Sequence, residues 1–227
     1  MAATIVFDAY GTLFDLASAA RRVAAEPGRS GFAVVWPRIA ADWRRKQLEY
    51  TWLRAITGAH ADFWTVTRDA LDWSLEAAGM AEHDLRERLL ALYWELEAFP
   101  EVPRVLDALR AGGHRTAILS NGTPEMLAAA LASAGLAGRF DATLSVESAG
   151  AFKPASRAYD LIGRELGVTM AQVVFVSSNG WDAAAASGYG LRAVWVNRTA
   201  KPMERLPWRP AHVLGDFAGL PELLEVT

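Results

Sequence analysis

The sequence predicts an α/β protein in two parts, a doubly wound parallel-sheet core and an inserted helical-bundle cap. Three observations carry this. Residues 3–7 (ATIVF) are short, β-branched and apolar, as in a strand buried on both faces. Residues 16–99 are rich in Ala, Arg, Glu, Leu and Trp, and little in them alternates as a strand would. After Pro100, short apolar runs alternate with helical stretches, the pattern of a parallel sheet with crossover helices. Because the first strand precedes the helical block and the others follow it, the block reads as an insertion. Residues 1–15 and 98–227 are assigned to a Rossmann-like core and 16–97 to the cap.

The elements follow in order. The first strand ends at Asp8, and Ala9-Tyr10-Gly11-Thr12 is turn chemistry. In the cap, Pro37 sits where a helix can start. Trp36, Ile39, Trp43, Lys46–Gln47 and Tyr50 recur at helical steps. Helices are expected over 33–56, 62–78 and 82–96. Six of the nine tryptophans (36, 43, 52, 64, 73 and 94) fall in this block, which points to a bundle with an aromatic core. The core resumes with a helix over 102–110 closed by Gly112-Gly113, a strand over 116–119 and a helix over 124–134. A strand over 142–146, a helix over 155–166, a strand over 173–176 and a helix over 182–187 come next. Strands over 193–196 and 212–214 and a helix over 220–225 complete it. No internal repeat or low-complexity tract is present.

Composition narrows the function. At 227 residues, 52% hydrophobic and 22% charged, the chain is neither disordered nor short of core. Twenty-three basic against 26 acidic residues give a net charge of −3, against a nucleic-acid surface but compatible with a locally positive pocket. With no cysteine, thiol nucleophiles, disulfides and Cys-ligated zinc or iron–sulfur sites are excluded. No apolar run reaches a membrane span and the N-terminus lacks a basic n-region, so a cytoplasmic protein is expected. The two Asn-X-Thr matches at Asn121 and Asn197 are then coincidental. His60, His83, His114 and His212 form no metal or triad spacing and read as surface or loop residues.

Open parallel sheets bind ligands beyond the carboxyl ends of their strands. Four polar clusters fall there: Asp8-Ala-Tyr10-Gly-Thr12, Ser120-Asn121-Gly122, Phe152-Lys153-Pro154 and Ser177-Ser178-Asn179-Gly180-Trp181-Asp182. Singly, each is an ordinary cap, turn or helix start. Their convergence on one edge is far more specific.

In this order the clusters resemble the four loop motifs of the haloacid dehalogenase superfamily, and most closely its L-2-haloacid dehalogenases. The matching text is FDAYGTLFD at 7–15, WRRKQLEYTWLR at 43–54, ILSNG at 118–122, KP at 153–154 and FVSSNGWDA at 175–183. Phosphatases of the superfamily resemble one another in a general-acid Asp two residues after the nucleophile, where this chain has Tyr10. They also carry an Asp pair holding magnesium in the fourth loop, where Ser178 replaces the first member and leaves Asp182 alone. The resemblance therefore implies a reaction without metal or other cofactor, on a small halogenated carboxylic acid.

The resemblance implies hydrolysis of short L-2-haloalkanoic acids to D-2-hydroxy acids with inversion, through an ester on Asp8. It implies that Thr12 bonds Asp8, that Ser120 and backbone N–H groups near Asn121 bind the substrate carboxylate, and that Lys153 keeps Asp8 ionised. Arg44 from the cap would receive the halide, with Asn179 beside it. Ser177, Asn179 and Asp182 would position Lys153 and the hydrolytic water, and Tyr159 would support Lys153. Tyr10, Leu48, Phe63 and Trp181 would wall the substrate's side group. Arg45 stands where members of the group often carry Gln in the pocket, so a second cation there is expected to affect anion binding. Enzymes of the group it resembles are commonly homodimers, and a homodimer is expected here. By itself the run Arg44-Arg45-Lys46 reads as a solvated helix face, and only the surrounding WRRKQLEYTWLR text lifts Arg44 above that. The alternatives are a magnesium-dependent phosphatase of the same superfamily and a catalytically idle relative that binds small acids.

Overall fold

The computed structural model describes residues 2–225. Its frame is a six-stranded parallel sheet. β1 (Thr4–Phe7) lies inside it, between β4 (Arg115–Ser120) and β6 (Val173–Ser177). β5 (Ala142–Ser145) continues the sheet beyond β4, and β7 (Arg192–Val196) and β8 (His212–Leu214) continue it beyond β6. The chain therefore steps to opposite sides of β1, and the end of β1 is the switch point at which such sheets form a crevice. β1, β4 and β6 occupy that centre because their runs TIVF, AILS and VVFVS are buried almost throughout. Ile5, Val6, Ile118, Phe175 and Val194 have no exposed surface. Each such side chain contributes roughly 1.5–3 kcal/mol through burial.

Helices α5 (Val102–Ala111), α6 (Pro124–Ser133), α7 (Ser156–Leu166), α8 (Gly180–Tyr189) and α9 (Leu220–Glu225) complete the α/β core. Local chemistry fixes the start of α6. The Thr123 side chain accepts from the Met126 N–H, and Pro124 sits in the first turn, where no N–H is needed. α8 starts two residues before the expected position, so Asp182 lies within its first turn, where the helix dipole favours an acid.

The helical block packs as α1 (Ala17–Ala24), α2 (Ser30–Thr57), α3 (Phe63–Ala77) and α4 (His83–Tyr93). It leaves and rejoins the core through a short antiparallel ribbon, β2 (Phe14–Asp15) with β3 (Glu97–Ala98). Neither the ribbon nor α1 was expected, since two-residue strands and an eight-residue helix leave almost no periodic signal. Pro37 is a correction: it does not start a helix but lies inside α2. Phe32 before it and Ile39 and Trp43 after it bury on the same side, and that packing outweighs the one hydrogen bond Pro37 removes. The buried row of α2 is Phe32, Ile39, Trp43, Gln47 and Thr51, while Trp36 and Tyr50 are only half-buried. Gly58 ends α2 at φ 69°, a left-handed cap that glycine adopts without strain. Among the described residues no helix is long and apolar enough to cross a membrane.

Candidate active site

Asp8 follows β1 directly and is 5% exposed. Its backbone N–H donates to the Val176 carbonyl, so the sheet register aims the side chain. The two carboxylate oxygens differ. Oδ2 accepts from Thr12 Oγ1 at 2.7 Å, Asn179 Nδ2 at 2.8 Å and Ser177 Oγ at 3.5 Å. Among the described residues, Oδ1 accepts from Lys153 Nζ alone, at 2.7 Å. Thr12 is itself fixed, because its hydroxyl oxygen accepts from the Ser178 N–H at 2.8 Å.

Lys153 is 1% exposed and reaches Asp8 from the loop before α7. Its ammonium also donates to Asp182 Oδ2 at 2.8 Å and to the Leu119 carbonyl at 3.1 Å, so all three protons have acceptors. Burial alone would lower its pKa, but Asp182 and Asp8 outweigh that and raise it above the ordinary lysine value. Burial raises Asp182 above the usual carboxylate range, and Lys153 opposes it. Burial also pushes Tyr159 well up, so it remains a donor, to Asp182 Oδ1 at 2.6 Å.

Two expected roles change here. Tyr159 touches Asp182 rather than Lys153. Ser177 and Asn179 bond Asp8 and not Lys153. Asp182 holds Lys153, but it is fully buried with one oxygen on Lys153 and the other on Tyr159, and it does not line the cavity in front of Asp8.

That cavity is lined by Asp8, Tyr10, Ser120, Asn121, Lys153 and Trp181 from the core and by Arg44, Leu48 and Phe63 from the helical block. It encloses about 10 Å³, room for about one water. Ser120 Oγ accepts from the Gly122 N–H at 3.1 Å and keeps its own proton to donate. Asn121 Oδ1 accepts from the Lys153 N–H at 2.9 Å, tying the second loop to the third. The Tyr10 ring stacks on Tyr93 at 5.8 Å and meets Phe63 at 5.6 Å. Its hydroxyl is buried without a hydrogen-bond partner among the described residues, and burial raises its pKa well above the ordinary value. Gly122 lies against this ring, where a Cβ would come within 2.5 Å of Tyr10 Cε2.

The Arg44 guanidinium donates to Gln47 Oε1 at 2.7 Å, the Tyr10 carbonyl at 3.1 Å and Asn179 Oδ1 at 3.2 Å. Burial lowers its pKa, with Tyr93 and Asp8 acting the other way, and a guanidinium remains charged. Asn179 thus has its carbonyl oxygen on Arg44 and its amide on Asp8 and the Tyr10 carbonyl, so in this arrangement it orients Arg44 and has no idle N–H for a halide.

Arg45 is a correction. It is exposed, pairs with Asp42 at 3.0 Å and Glu49 at 3.2 Å, and lies over Trp73, away from the cavity. One helical step of about 100° separates it from Arg44. The residue that reaches inward is Gln47, which the sequence marks only as part of a helical face. It is 1% exposed and donates to Thr67 Oγ1 at 2.7 Å and Tyr93 Oη at 2.9 Å while holding Arg44. Its signal was there, a three-residue step from Arg44 on one helix face.

A protein-family model for haloacid dehalogenase-like hydrolases matches residues 2–190. The chain is 43% identical over 220 residues to (S)-2-haloacid dehalogenase 1 of Pseudomonas sp. (strain CBS-3), covering 96% of this chain and 95% of that protein. The crystal structure of L-2-haloacid dehalogenase from Xanthobacter autotrophicus superimposes with a TM-score of 0.89 at 37% identity, covering 99% of each chain. A structure of the same enzyme with chloropropionic acid covalently bound gives 0.88 at 37% identity and the same coverage. Likeness of this extent runs through the helical block as well as the sheet, and it makes this chain a member of the haloacid dehalogenase-like hydrolases, within their L-2-haloacid dehalogenase branch.

Proposed function

We propose that the protein hydrolyses the carbon–halogen bond of short L-2-haloalkanoic acids, giving D-2-hydroxy acids through an ester on Asp8. The observation that carries this is the asymmetry of the Asp8 carboxylate. Oδ2 is saturated by donors, and Oδ1 keeps a free lone pair toward a cavity that a cap arginine closes.

In the first step Oδ1 attacks C2 from behind the halogen. The Oδ1–C2 bond forms, the carbon–halogen bond breaks, and the halide leaves with its electron pair toward Arg44. Ser120 and the backbone beside Asn121 hold the substrate carboxylate, and Tyr10, Leu48, Phe63 and Trp181 enclose its side group. In the second step water attacks Cγ of Asp8. Oδ2 becomes the oxyanion, with Thr12, Asn179 and Ser177 already aimed at it. The Cγ–Oδ1 bond then breaks and Oδ1 departs as the product's hydroxyl oxygen, with Lys153 beside it. One proton of the water ends on that hydroxyl and the other is released. C2 is attacked once, hence inversion.

The division into a core of residues 1–15 and 98–227 and a cap of 16–97 suits this chemistry. A cavity of about 10 Å³ cannot receive a haloacid until the cap parts from the core, and reclosure removes water from the nucleophile. No metal is needed in this reading. Lys153 stands between the two carboxylates, and the Ser178 hydroxyl accepts from Arg198 at 2.7 Å. A homodimer in the cytoplasm is part of the proposal. Ile56, Leu206 and Trp208 are exposed apolar side chains that line one groove of about 730 Å³, and contiguous exposed apolar surface marks interfaces.

The test is a single turnover of L-2-chloropropionate in water enriched in heavy oxygen, with enzyme in excess. The label is expected in Asp8 and not in the product. Label appearing directly in the product would overturn the ester route.

A further inference from the structure

We propose that Arg198, outside the cavity, is a positioning residue for Asp8 that organises the Oδ2 side of the carboxylate. The proposal rests on the ester mechanism above.

Arg198 follows β7 and its side chain is 17% exposed. Its guanidinium lies 3.8 Å from the Phe99 ring centroid and 4.9 Å from that of Phe217, so its orientation is fixed by two aromatic contacts. Nε and one terminal nitrogen donate to Glu101 Oε1 at 2.9 and 2.8 Å. That same terminal nitrogen donates to the Thr12 carbonyl at 3.1 Å, and the other donates to Ser178 Oγ at 2.7 Å. One planar fork thus binds three segments: the loop after β1, the loop after β6, and the return from the cap just beyond β3.

What lies on those segments gives the fork its role. The Thr12 hydroxyl donates to Asp8 Oδ2, and Asn179 and Ser177, on either side of Ser178, donate to the same oxygen. A direct bond from the Ser178 N–H to Thr12 Oγ1 already joins the two loops. Arg198 joins them again from behind through the Thr12 carbonyl and the Ser178 hydroxyl. Lys153, which serves Oδ1, is held separately by Asp182 and Leu119. Loss of Arg198 therefore loosens all three donors on Oδ2, while Lys153 still holds Oδ1 and only one of the loosened residues, Asn179, also holds Arg44. Displacement of such donors by about 1 Å costs on the order of 10²-fold in rate, and here the cost falls more on ester hydrolysis, which needs all three donors, than on ester formation.

Phe217 also packs on Phe7, the residue before Asp8, at 5.7 Å, so Arg198 touches the β1 end by a second route. Lysine is no substitute in this setting, since an ammonium lacks the planar fork that spans both loops.

The experiment mixes wild type, Arg198→Ala and Arg198→Lys with L-2-chloropropionate, quenches in acid and weighs the intact protein, alongside steady-state halide release. Arg198→Ala is expected to lower kcat about 10²-fold and KM along with it, so that kcat/KM, which is set by ester formation, falls much less. Its quenched protein should carry the substrate-derived ester, which wild type clears. Arg198→Lys should fall between. If Arg198→Ala does not fold, Arg198→Lys and Ser178→Ala decide by the same readout: accumulated ester supports the proposal and its absence overturns it. Unchanged kcat, or slowing with no accumulated ester, also overturns it. Failure of wild type to release halide would instead overturn the ester mechanism itself.

Discussion

Lys153→Met removes the one cation between two buried carboxylates while keeping a side chain of similar length. In the native protein Nζ stands 2.7 Å from Asp8 Oδ1 and 2.8 Å from Asp182 Oδ2. At an effective dielectric of about 20, each contact is worth about 6 kcal/mol of attraction before desolvation. Desolvation of a group 1% exposed consumes much of that. What remains is seen when one partner is deleted and buried charge is left uncompensated, about 3–5 kcal/mol of stability.

The consequence for catalysis is larger than the loss of one contact. Without the ammonium, Asp8 Oδ1 loses its donor and Asp182, fully buried, is left with Tyr159, so the side chain that aims the attacking oxygen is gone. Halide release from L-2-chloropropionate should fall by at least about 10²–10³-fold. Thermal melts followed by circular dichroism should show the destabilisation. The difference has a defined pH dependence. Lys153 has a raised folded pKa, so its contribution is complete below the ordinary lysine value of 10.5 and is lost as pH rises through the folded value. The gap in melting temperature between wild type and Lys153→Met should hold from pH 7 to pH 10 and close only above that. A Met variant within tenfold of wild-type activity, or a gap closing near neutral pH, would refute the assignment of Lys153 as the charge partner of Asp8.

Further outcomes follow from the same geometry. Arg44→Ala should lower kcat about 10²–10³-fold, whereas Arg45→Ala, which removes exposed ion pairs and a contact over Trp73, should cost at most about 1 kcal/mol in stability and leave turnover unchanged; equal effects on turnover would return Arg44 to the solvated face. Dialysis against a strong chelator should leave activity intact and added magnesium should not raise it; loss restored by magnesium would favour the phosphatase alternative. Gly122→Ala places a Cβ within 2.5 Å of the Tyr10 ring, so it should cost about 1–3 kcal/mol and reduce turnover; a melting temperature equal to wild type would show that Tyr10 is free to move.

Much of the site was legible because its chemistry sits at strand ends, and strand ends can be read. ATIVF, TAILS and VVFVS are short apolar runs, and the polar residues after them, Asp8, Ser120 and Ser177 through Asp182, had to reach one edge once the strands were parallel. The ribbon of β2 with β3 and the continuation of α2 through Pro37 were not legible, because both depend on partners far along the chain. Phe14 pairs with Ala98, and Phe32 and Ile39 bury on one side across the proline.

The sequence by itself picked out the residues proposed to react: a carboxylate after the first strand, a lysine before α7, and a basic pair on a helix of the inserted block. Only the tertiary structure decided how they divide the work. It turned Arg44 inward and Arg45 outward, because a 100° helical step separates adjacent side chains and just one of those directions faces the sheet edge. It gave Asp8 one crowded oxygen and one free one, through donors from positions 12, 153, 177 and 179 that no local pattern brings together. It also brought Arg198 to the back of the same loops. An arginine after the last residue of a buried strand carries no mark in the sequence, and its meaning comes from the two rings and three loops the fold sets around it.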